Sequence, residues 1–413
     1  MPVSYYNTLE GIFVSLFHVP MYIKEWESVM KSFRLTEKEM NDLADRFPTP
    51  FLVASLDKLE ENYDFLRKHL PRAKVFYAMK ANPADGILRK MASLGSNFDV
   101  ASAGEIQLLH NLGVAGERMI YANPVKSMHG LELAARYGVN KFTFDDESEI
   151  AKLAQMVPGR EVLVRIRVKN EKALVDLNTK FGVEPERALP LLQQAEAAGL
   201  RAAGICFHVG SQSLAAEAYE EALLVCRRLF DEAESLGMKL RVLDIGGGLP
   251  VPPAGGLHVD LAAMMEAINR QVDRLFPTTE IWSEPGRYIC GTAVNLVTSV
   301  IGTKERGGER WYVLDDGLYG ALNGIIFDHW TYELECFKRG ERRLSTFVGP
   351  SCDSIDVVCR DQMAPLLSIG DRILVPNCGA YTSAAATTFN GFAVAPTIVW
   401  EEQKLYQVET AVS

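Results

Sequence analysis

From residue 74 to residue 290, short apolar runs alternate with helical segments, and this alternation constrains the fold more than any other feature of the chain. Segments such as GEIQLLHNLG and EEALLVCRRLFDEAESLG have helical periodicity. The eight predicted strands are KVFYAMK, NFDVAS, RMIYAN, KFTFD, EVLVRIRV, AGICFHVG, RVLDIGGG and EIWSEPGRYI. Eight such repeats favour a closed parallel (β/α)8 barrel over an open sheet. A ninth run, PFLVASL at 50–56, leads into a helix.

Several predicted strands end in polar or glycine-rich clusters. These are Lys80, Asp99, Arg165, His208 to Ser211, Gly246 to Gly248, and Glu284 to Arg287. In a parallel barrel all strand ends of this kind open on one face, where active sites are built. An open doubly wound sheet would instead spread them along an edge.

After residue 290 the chain changes to β runs without long helices between them, for example AVNLVTSVIG and RILVPNCG. This texture predicts a second, mainly antiparallel β domain. We therefore expect an N-terminal extension at 1–47 that packs on the β domain, a barrel at 48–290, and the β domain at 291–413. The apolar run GIFVSLFHVPMYI is too short for a membrane span and lacks a basic leader, so we expect it to belong to the extension.

Composition excludes several classes of protein. A formal net charge of -10 argues against a nucleic-acid surface. Seven scattered cysteines with no C-x-x-C pair indicate neither a disulfide framework nor a zinc site, and we expect no metal. These patterns predict a soluble cytoplasmic protein that makes no membrane contact.

Lys80 is the first candidate for chemistry, because it ends an otherwise apolar segment. Next to Phe76, Tyr77 and Met79, its ammonium should be partly desolvated, which would lower its pKa and free the amine to attack an aldehyde. The functional interpretation is a Schiff-base lysine. The structural alternative is a strand-end lysine that reaches solvent, and for this residue alone the alternative is the commoner case.

Two further strand ends could bind an anion or a flat ring. The three glycines of LDIGGGLP, Gly246 to Gly248, would let backbone N–H groups approach a phosphate, although they could also form an ordinary turn. They match neither G-x-G-x-x-G nor a Walker motif. In CFHVGSQS, His208 could stack on a ring and Ser211 could donate to a phosphate, whereas a lone histidine is more often a packing residue.

Two charged segments complete the candidates. In WSEPGRY, Glu284 could pair with a protonated ring nitrogen while Arg287 holds an anion, or the two could form an internal ion pair. In FVGPSCDSIDVV, Cys352 could pass a proton to a carbanion and Asp353 could hold a substrate ammonium. A single loop cysteine is nevertheless most often inert.

In order along residues 33–400, eight motifs resemble those of the ornithine/diaminopimelate decarboxylase family, which are pyridoxal-phosphate enzymes of fold type III. The motifs are FYAMKAN, FDVASAGE, CFHVGSQ, LDIGGG, EPGRY, DDGLYG, GPSCDSID and GAYT. Within the family, FPTPFLVASLDK and FDHWTY are most similar to segments of bacterial lysine/ornithine decarboxylases.

The resemblance implies that pyridoxal 5'-phosphate is the cofactor and that Lys80 forms the Schiff base. His208 would stack on the ring and Glu284 would face its nitrogen. The cofactor-binding residues that it implies are Lys80, Asp99, Arg165, His208, Ser211, Gly246, Gly247, Gly248, Glu284, Gly286, Arg287 and Tyr381.

The resemblance also implies a head-to-tail homodimer with two shared sites. Cys352 of the partner subunit would then protonate the quinonoid intermediate formed on decarboxylation, and an isolated monomer would be inactive. Lys180 and Asp356 are implied to pair between the subunits.

Substrate selection follows in part from two acids. Asp353 comes after the cysteine and Asp328 lies in IIFDHW, and these two acids suit a distal ammonium. The implied substrate-binding residues are Asp328, Cys352, Asp353 and Tyr319. L-lysine and L-ornithine are therefore the expected substrates. They differ by one methylene, worth only about 1–3 kcal/mol in a pocket, so the sequence does not rank them. Diaminopimelate, another amino acid, or a non-catalytic role like that of the antizyme inhibitors are the alternatives.

Overall fold

The computed structural model describes residues 31–168, 173–175, 179–251, 259–401 and 404–409. The apolar run at 11–23 lies outside them. The helices are α1 Glu37–Ala44, α2 Leu56–His69, α3 Asp85–Ser93, α4 Ala103–Asn111, α5 Met128–Arg136, α6 Glu147–Met156, α7 Pro185–Ala197, α8 Glu217–Ser235, α9 Leu261–Leu275, α10 Arg287–Cys290 and α11 Gly324–Phe327. The strands are β1 Phe51–Ser55, β2 Ala73–Ala78, β3 Asn97–Val100, β4 Met119–Tyr121, β5 Lys141–Phe144, β6 Glu161–Arg165, β7 Ala173–Val175, β8 Arg201–Cys206, β9 Ser211–Ser213, β10 Val242–Asp244, β11 Glu280–Ser283, β12 Val294–Arg306, β13 Glu309–Leu314, β14 Arg342–Val348, β15 Val357–Pro365, β16 Arg372–Val375, β17 Thr397–Glu401 and β18 Lys404–Glu409.

The predicted barrel is confirmed. Its eight parallel strands close in the order β10, β11, β2, β3, β4, β5, β6 and β8, and each overlaps one of the eight runs chosen from the sequence. A cluster of buried side chains from these strands, including Phe76, Leu163, Val242 and Trp282, fills the interior. The barrel is therefore a packed core, and its strand ends form one rim.

The ninth run, at Phe51–Ser55, does not belong to the barrel. Strand β1 pairs antiparallel with β12 and parallel with β17, both in the second sheet. Phe51 and Val53 pack into a cluster with α1, whereas Leu52 and Ala54 pack into the large core that the barrel shares. The expected barrel start at residue 48 is thus wrong, because a strand buried on both faces carries no alternation that would show which sheet it joins.

The second domain is a mixed sheet in the order β15, β14, β13, β12, β1, β17 and β18, and β16 pairs with β12. Most pairs are antiparallel, but β1 with β17 and β13 with β14 are parallel. Strands β14 and β15 complete one edge of this sheet. They were not among the β runs predicted from the sequence. The prediction of a mainly antiparallel second domain is confirmed in this form.

Local signals explain where the first two helices begin. Thr36 and Glu39 form a reciprocal capping box at the start of α1. Ser55 ends β1 and accepts a hydrogen bond from the Lys58 N–H at 3.2 Å, so the strand passes directly into α2. Helix α1 then buries Met40 and Leu43 against the second sheet.

All seven cysteines are free thiols. Among the helices of the described residues, none is long and apolar enough to cross a membrane.

Candidate active site

A layer of charged side chains lies directly above the apolar interior of the barrel. Because side chains two apart on a strand share a face, Arg165 follows the inward-facing Leu163 on β6, and Asp244 follows the inward-facing Val242 on β10. Asp99 pairs in register with the interior residue Ile120. The strand alternation therefore places one arginine and two carboxylates at the upper end of the barrel.

A cavity of about 330 Å³ opens above this layer. Ten of the predicted site residues line it, namely Lys80, Asp99, Arg165, His208, Ser211, Gly248, Glu284, Gly286, Arg287 and Tyr381. Tyr381 comes from the second domain, and its N–H donates to the Ala81 carbonyl at 2.7 Å. The cavity is thus closed on one side by the second domain.

Lys80 lies in the 3-10 turn that follows β2, and its Nζ is 2.8 Å from Asp99 Oδ2. The side chain is 46% exposed, but this exposure is to the cavity. Burial disfavours the ammonium, yet Asp99, Tyr381 and Glu284 together outweigh it and raise the pKa of Lys80. The expected lowering of this pKa is therefore wrong: three chain segments bring negative potential to the amine.

His208 follows β8 and presents a neutral ring to the cavity. Its Nδ1 accepts the Gly210 N–H at 3.0 Å, which leaves the ring proton on Nε2. Burial, followed by the positive charges of Arg165 and Lys80, lowers the pKa of His208 to about 3. An uncharged, fixed ring of this kind suits stacking and not proton exchange near neutral pH.

The glycine triplet forms a tight loop next to His208. Gly246 and Gly248 have positive φ of 67° and 107°, and a Cβ on Gly248 would lie 2.4 Å from the Gly210 carbonyl oxygen. Only Gly248 lines the cavity, whereas Gly246 and Gly247 pack behind it against main-chain carbonyls. The N–H of Ser213 donates to the Gly248 carbonyl at 2.9 Å, so the glycine loop and the Ser211 strand form one unit.

Glu284 follows β11, and its N–H donates to the Gly246 carbonyl at 2.8 Å. Burial, then the nearby Asp244 and Asp99, raise the pKa of Glu284 well above its usual value, against the opposing effect of Lys80 and Arg165. Burial also raises the pKa of Asp244 to about 7. A carboxyl at this position can therefore carry a proton near neutral pH.

Arg287 and Asp328 form a largely buried ion pair, with Nη2 and Oδ2 2.5 Å apart. The guanidinium also lies 4.9 Å from the centre of the Tyr381 ring. Asp328, which the resemblance assigns to the substrate, already has a cationic partner in this chain. Its carboxylate is thus already paired with Arg287, and a substrate ammonium would have to share it.

Cys352, Asp353 and Tyr319 form a second cluster that does not line the described cavity of their own chain. Tyr319 Oη donates to Asp353 Oδ2 at 2.5 Å, and the Cys352 N–H donates to Asn390 Oδ1 at 2.9 Å. Cys352 is exposed. The sequence analysis assigned Lys80 and Cys352 to one reaction. Within one chain, however, Lys80 lines the cavity and Cys352 lies outside it.

The implied pair of Lys180 and Asp356 would form between two subunits and stays a prediction. Asp356 is buried within its own chain, and its two carboxylate oxygens accept the N–H groups of Leu318 and Ser351 at 2.8 and 3.0 Å. Each oxygen keeps a further lone pair, so these two hydrogen bonds leave the carboxylate able to accept another donor. Lys180 instead lies on the cavity wall, 4.8 Å from the Phe181 ring centre.

Sequence reasoning missed three contributors to the site. Asp244 was hidden inside the LDIGGG motif, although an acid two residues after an inward-facing valine was a usable signal. Asn123 lines the cavity and Lys126 binds the main chain behind it. No local pattern distinguishes these two, because their neighbours come from other strands.

Comparison with known proteins places this site in a family. The model of the pyridoxal-dependent decarboxylase pyridoxal-binding domain matches residues 56–291. The chain is 68% identical over 377 residues to the lysine/ornithine decarboxylase of Selenomonas ruminantium, covering 91% of this chain and 96% of that protein.

Solved structures agree. A crystal structure of lysine decarboxylase from Selenomonas ruminantium matches with a TM-score of 0.87 and 68% identity, covering 89% of this chain and 97% of that one. The lysine/ornithine decarboxylase of Vibrio vulnificus, complexed with cadaverine, matches with a TM-score of 0.83 and 35% identity over 89% and 99% of the two chains. The family resemblance is confirmed: this chain belongs to the pyridoxal-dependent decarboxylases and is a pyridoxal-phosphate-dependent amino-acid decarboxylase.

Proposed function

We propose that the enzyme decarboxylates L-lysine and L-ornithine to cadaverine and putrescine, as a homodimer with two shared active sites. The observation that carries this proposal is the position of Lys80 in one cavity with Asp99, His208 and Glu284, at the rim of the barrel. The names of the relatives support the choice of substrates.

The residues of the cavity fit pyridoxal phosphate. Asp99 Oδ1 and Arg165 Nε are buried polar atoms without a hydrogen-bond partner in the described chain, as expected of a site that receives a polar ligand. Gly248 packs so closely on the Gly210 carbonyl that a Cβ would lie 2.4 Å from its oxygen, and this glycine lines the cavity. Gly248, Ser211 and Tyr381 would hold the phosphate, His208 the face of the ring, and Glu284 its nitrogen.

When bound, the cofactor supplies an electron sink for the pair left by the departing carboxylate. The side chains of the protein would supply the groups that bind and release protons. Lys80 Nζ would be the amine that holds the cofactor aldehyde, and Asp99, whose Oδ2 is 2.8 Å away, would orient that amine. Glu284 would hold a proton at the ring nitrogen, and His208 would stack on the ring.

We assign the last proton transfer to Cys352 Sγ of the partner subunit, which would protonate the carbon that lost the carboxylate. Cys352 is exposed, and around its cluster lies an apolar surface: Tyr319 and Phe389 stack with ring centres 4.3 Å apart, and Phe392 is 43% exposed. A second copy of the chain would cover this surface and bring the cluster to the neighbouring cavity.

The distal ammonium of the substrate would bind Asp353. Its carboxylate is partly buried at the cluster and is oriented by Tyr319, whose hydrogen bond is the main cause of its lowered pKa. Two acids, Asp353 and the shared Asp328, favour a distal ammonium over a distal carboxylate. This charge pattern disfavours diaminopimelate.

The test is to compare kcat/KM for L-lysine, L-ornithine and meso-diaminopimelate on one preparation of the full-length chain. Substantial turnover of both monocarboxylic diamino acids and a loss of at least a hundredfold with diaminopimelate are expected. A preference for diaminopimelate would contradict the substrate assignment. Borohydride reduction followed by mass spectrometry should place the pyridoxyl group on Lys80, and an adduct on another lysine, or none, would contradict the cavity assignment.

A further inference from the structure

Asp244 is a buried carboxylate that the reaction as described does not use. It ends strand β10 and is completely inaccessible to solvent. Its Oδ1 accepts the Gly246 N–H at 2.8 Å, at the start of the glycine loop. Its Oδ2 is buried and accepts no hydrogen bond from an N–H or hydroxyl group of the described residues. The O–H of a protonated neighbouring carboxyl could serve as its donor.

That neighbour is Glu284. Strands β10 and β11 are adjacent, with Asp244 beside Trp282 two residues before Glu284. The two carboxyl groups lie within hydrogen-bond reach of each other, and the main chain of Glu284 binds the same glycine, Gly246, that Asp244 holds. Two ionised carboxylates only accept hydrogen bonds, so this contact is satisfied only if one of them keeps a proton.

The charges around Asp244 and Glu284 also indicate that the two carboxyl groups hold one proton between them. The charged groups that face it are Lys80 after β2, Asp99 on β3 and Arg165 on β6. The thiol of Cys206 on β8 also lies nearby, and burial raises its pKa, while His208 is neutral. Two cations then face three carboxylates, and one proton on the Asp244 and Glu284 pair makes the buried layer neutral.

We propose that Asp244 is a positioning residue that shares one proton with Glu284 and joins the ring-nitrogen acid to the phosphate loop. One oxygen fixes the loop through Gly246, and the other fixes the carboxyl of Glu284 opposite the ring nitrogen. This deepens, and rests on, the function proposed above. A cation could not replace this residue, because it could not accept the Gly246 N–H.

The first test measures cofactor affinity of the full-length chain after dialysis has removed bound pyridoxal phosphate. Asp244→Ala loses both contacts and should raise the Kd for pyridoxal phosphate by at least tenfold. Asp244→Asn keeps an acceptor for Gly246 and a donor for Glu284, and its Kd should stay within about threefold of wild type. The exposed Asp64→Asn is the control. A Kd for Asp244→Ala within twofold of the control would overturn the proposal.

The second test uses no cofactor. A carboxyl whose pKa is raised from 3.8 to about 7 in the folded chain holds its proton more tightly than in the unfolded chain, so stability falls as pH rises through that interval. Between pH 5 and pH 8, the unfolding equilibrium constant of wild type should rise at least tenfold more than that of Asp244→Asn. Equal pH dependence in the two proteins would overturn the shared proton.

These outcomes are separable from the proposed function. Should the variants and the wild type all lack a pyridoxyl adduct on Lys80, the proposed function fails. Should the adduct form while Asp244→Ala binds the cofactor like the control, only the role of Asp244 fails.

Discussion

At the scale of single residues, the sequence predicted that Lys80 lies at the cavity but not the charges around its amine. The apolar run before Lys80 predicted its place at the end of a buried strand, and the last four residues of β2 are indeed buried. The direction of its pKa was wrong because Asp99, Tyr381 and Glu284 reach it from β3, the second domain and β11. Burial can be estimated from neighbours in sequence, whereas charge depends on neighbours in space.

Lys126 shows how a residue outside the reaction can shape the cavity. Its Nζ donates to the carbonyls of Asn123, Pro124 and Thr143, and the side chain is 2% exposed. Burial is the main cause of a lowered pKa of about 7, and the nearby Glu149 and Asp145 oppose it. The lysine thus holds the cavity wall that Asn123 and Pro124 form.

Replacement of Lys126 by Met should remove these three hydrogen bonds and leave buried carbonyl oxygens without donors. We expect the free energy of unfolding to fall by about 2–4 kcal/mol, because each unsatisfied buried acceptor costs about 1–3 kcal/mol and the wall relaxes in part. Urea unfolding measures the change. Lys38→Met, at a side chain that is 83% exposed, is the matched control. Similar losses in the two variants would show that the buried amine does not hold the wall.

At the scale of elements, the barrel strands were predictable because each is a short apolar run followed by a helix. Strand β1 was not, since burial on both faces removes the alternation, and its partners β12 and β17 lie more than 200 residues away. Strands β14 and β15 were missed because charged residues interrupt their apolar runs: Arg342 and Arg343 begin β14, and Arg360 and Asp361 lie within β15. The sequence therefore specifies element type better than element partnership.

The glycine loop gives an element-scale prediction. Gly248→Ala adds a Cβ 2.4 Å from the Gly210 carbonyl oxygen at a φ of 107°, so the loop must shift away from the Ser211 strand. We expect the Kd for pyridoxal phosphate to rise at least tenfold. Gly95→Ala is the control, because it has a similar positive φ of 82° and no atom within 4 Å of the added Cβ. An absorbance titration of both variants checks this, and equal affinities would mean that the loop does not bind the phosphate.

At the scale of the whole molecule, the two domains meet next to Lys80. The Tyr381 N–H donates to the Ala81 carbonyl, and Asn82 Nδ2 donates to the Gly379 carbonyl at 2.9 Å. Both contacts flank Lys80, so the second domain fixes the turn that carries the amine. The remaining separation, between Lys80 in the cavity and Cys352 in the outer cluster, is what a second subunit would close.

A mixing experiment tests that arrangement directly. Lys80→Ala and Cys352→Ala should each lose most activity alone. If sites are shared, a mixed dimer has one site with both native residues and one with neither, so random reassociation of equal amounts should restore about one quarter of wild-type activity. Mixing Lys80→Ala with Glu284→Ala is the control and should restore none, because both residues line the cavity of one chain. Activity that stays at the level of the separate variants in the first mixture would mean that Cys352 serves its own chain or no site at all.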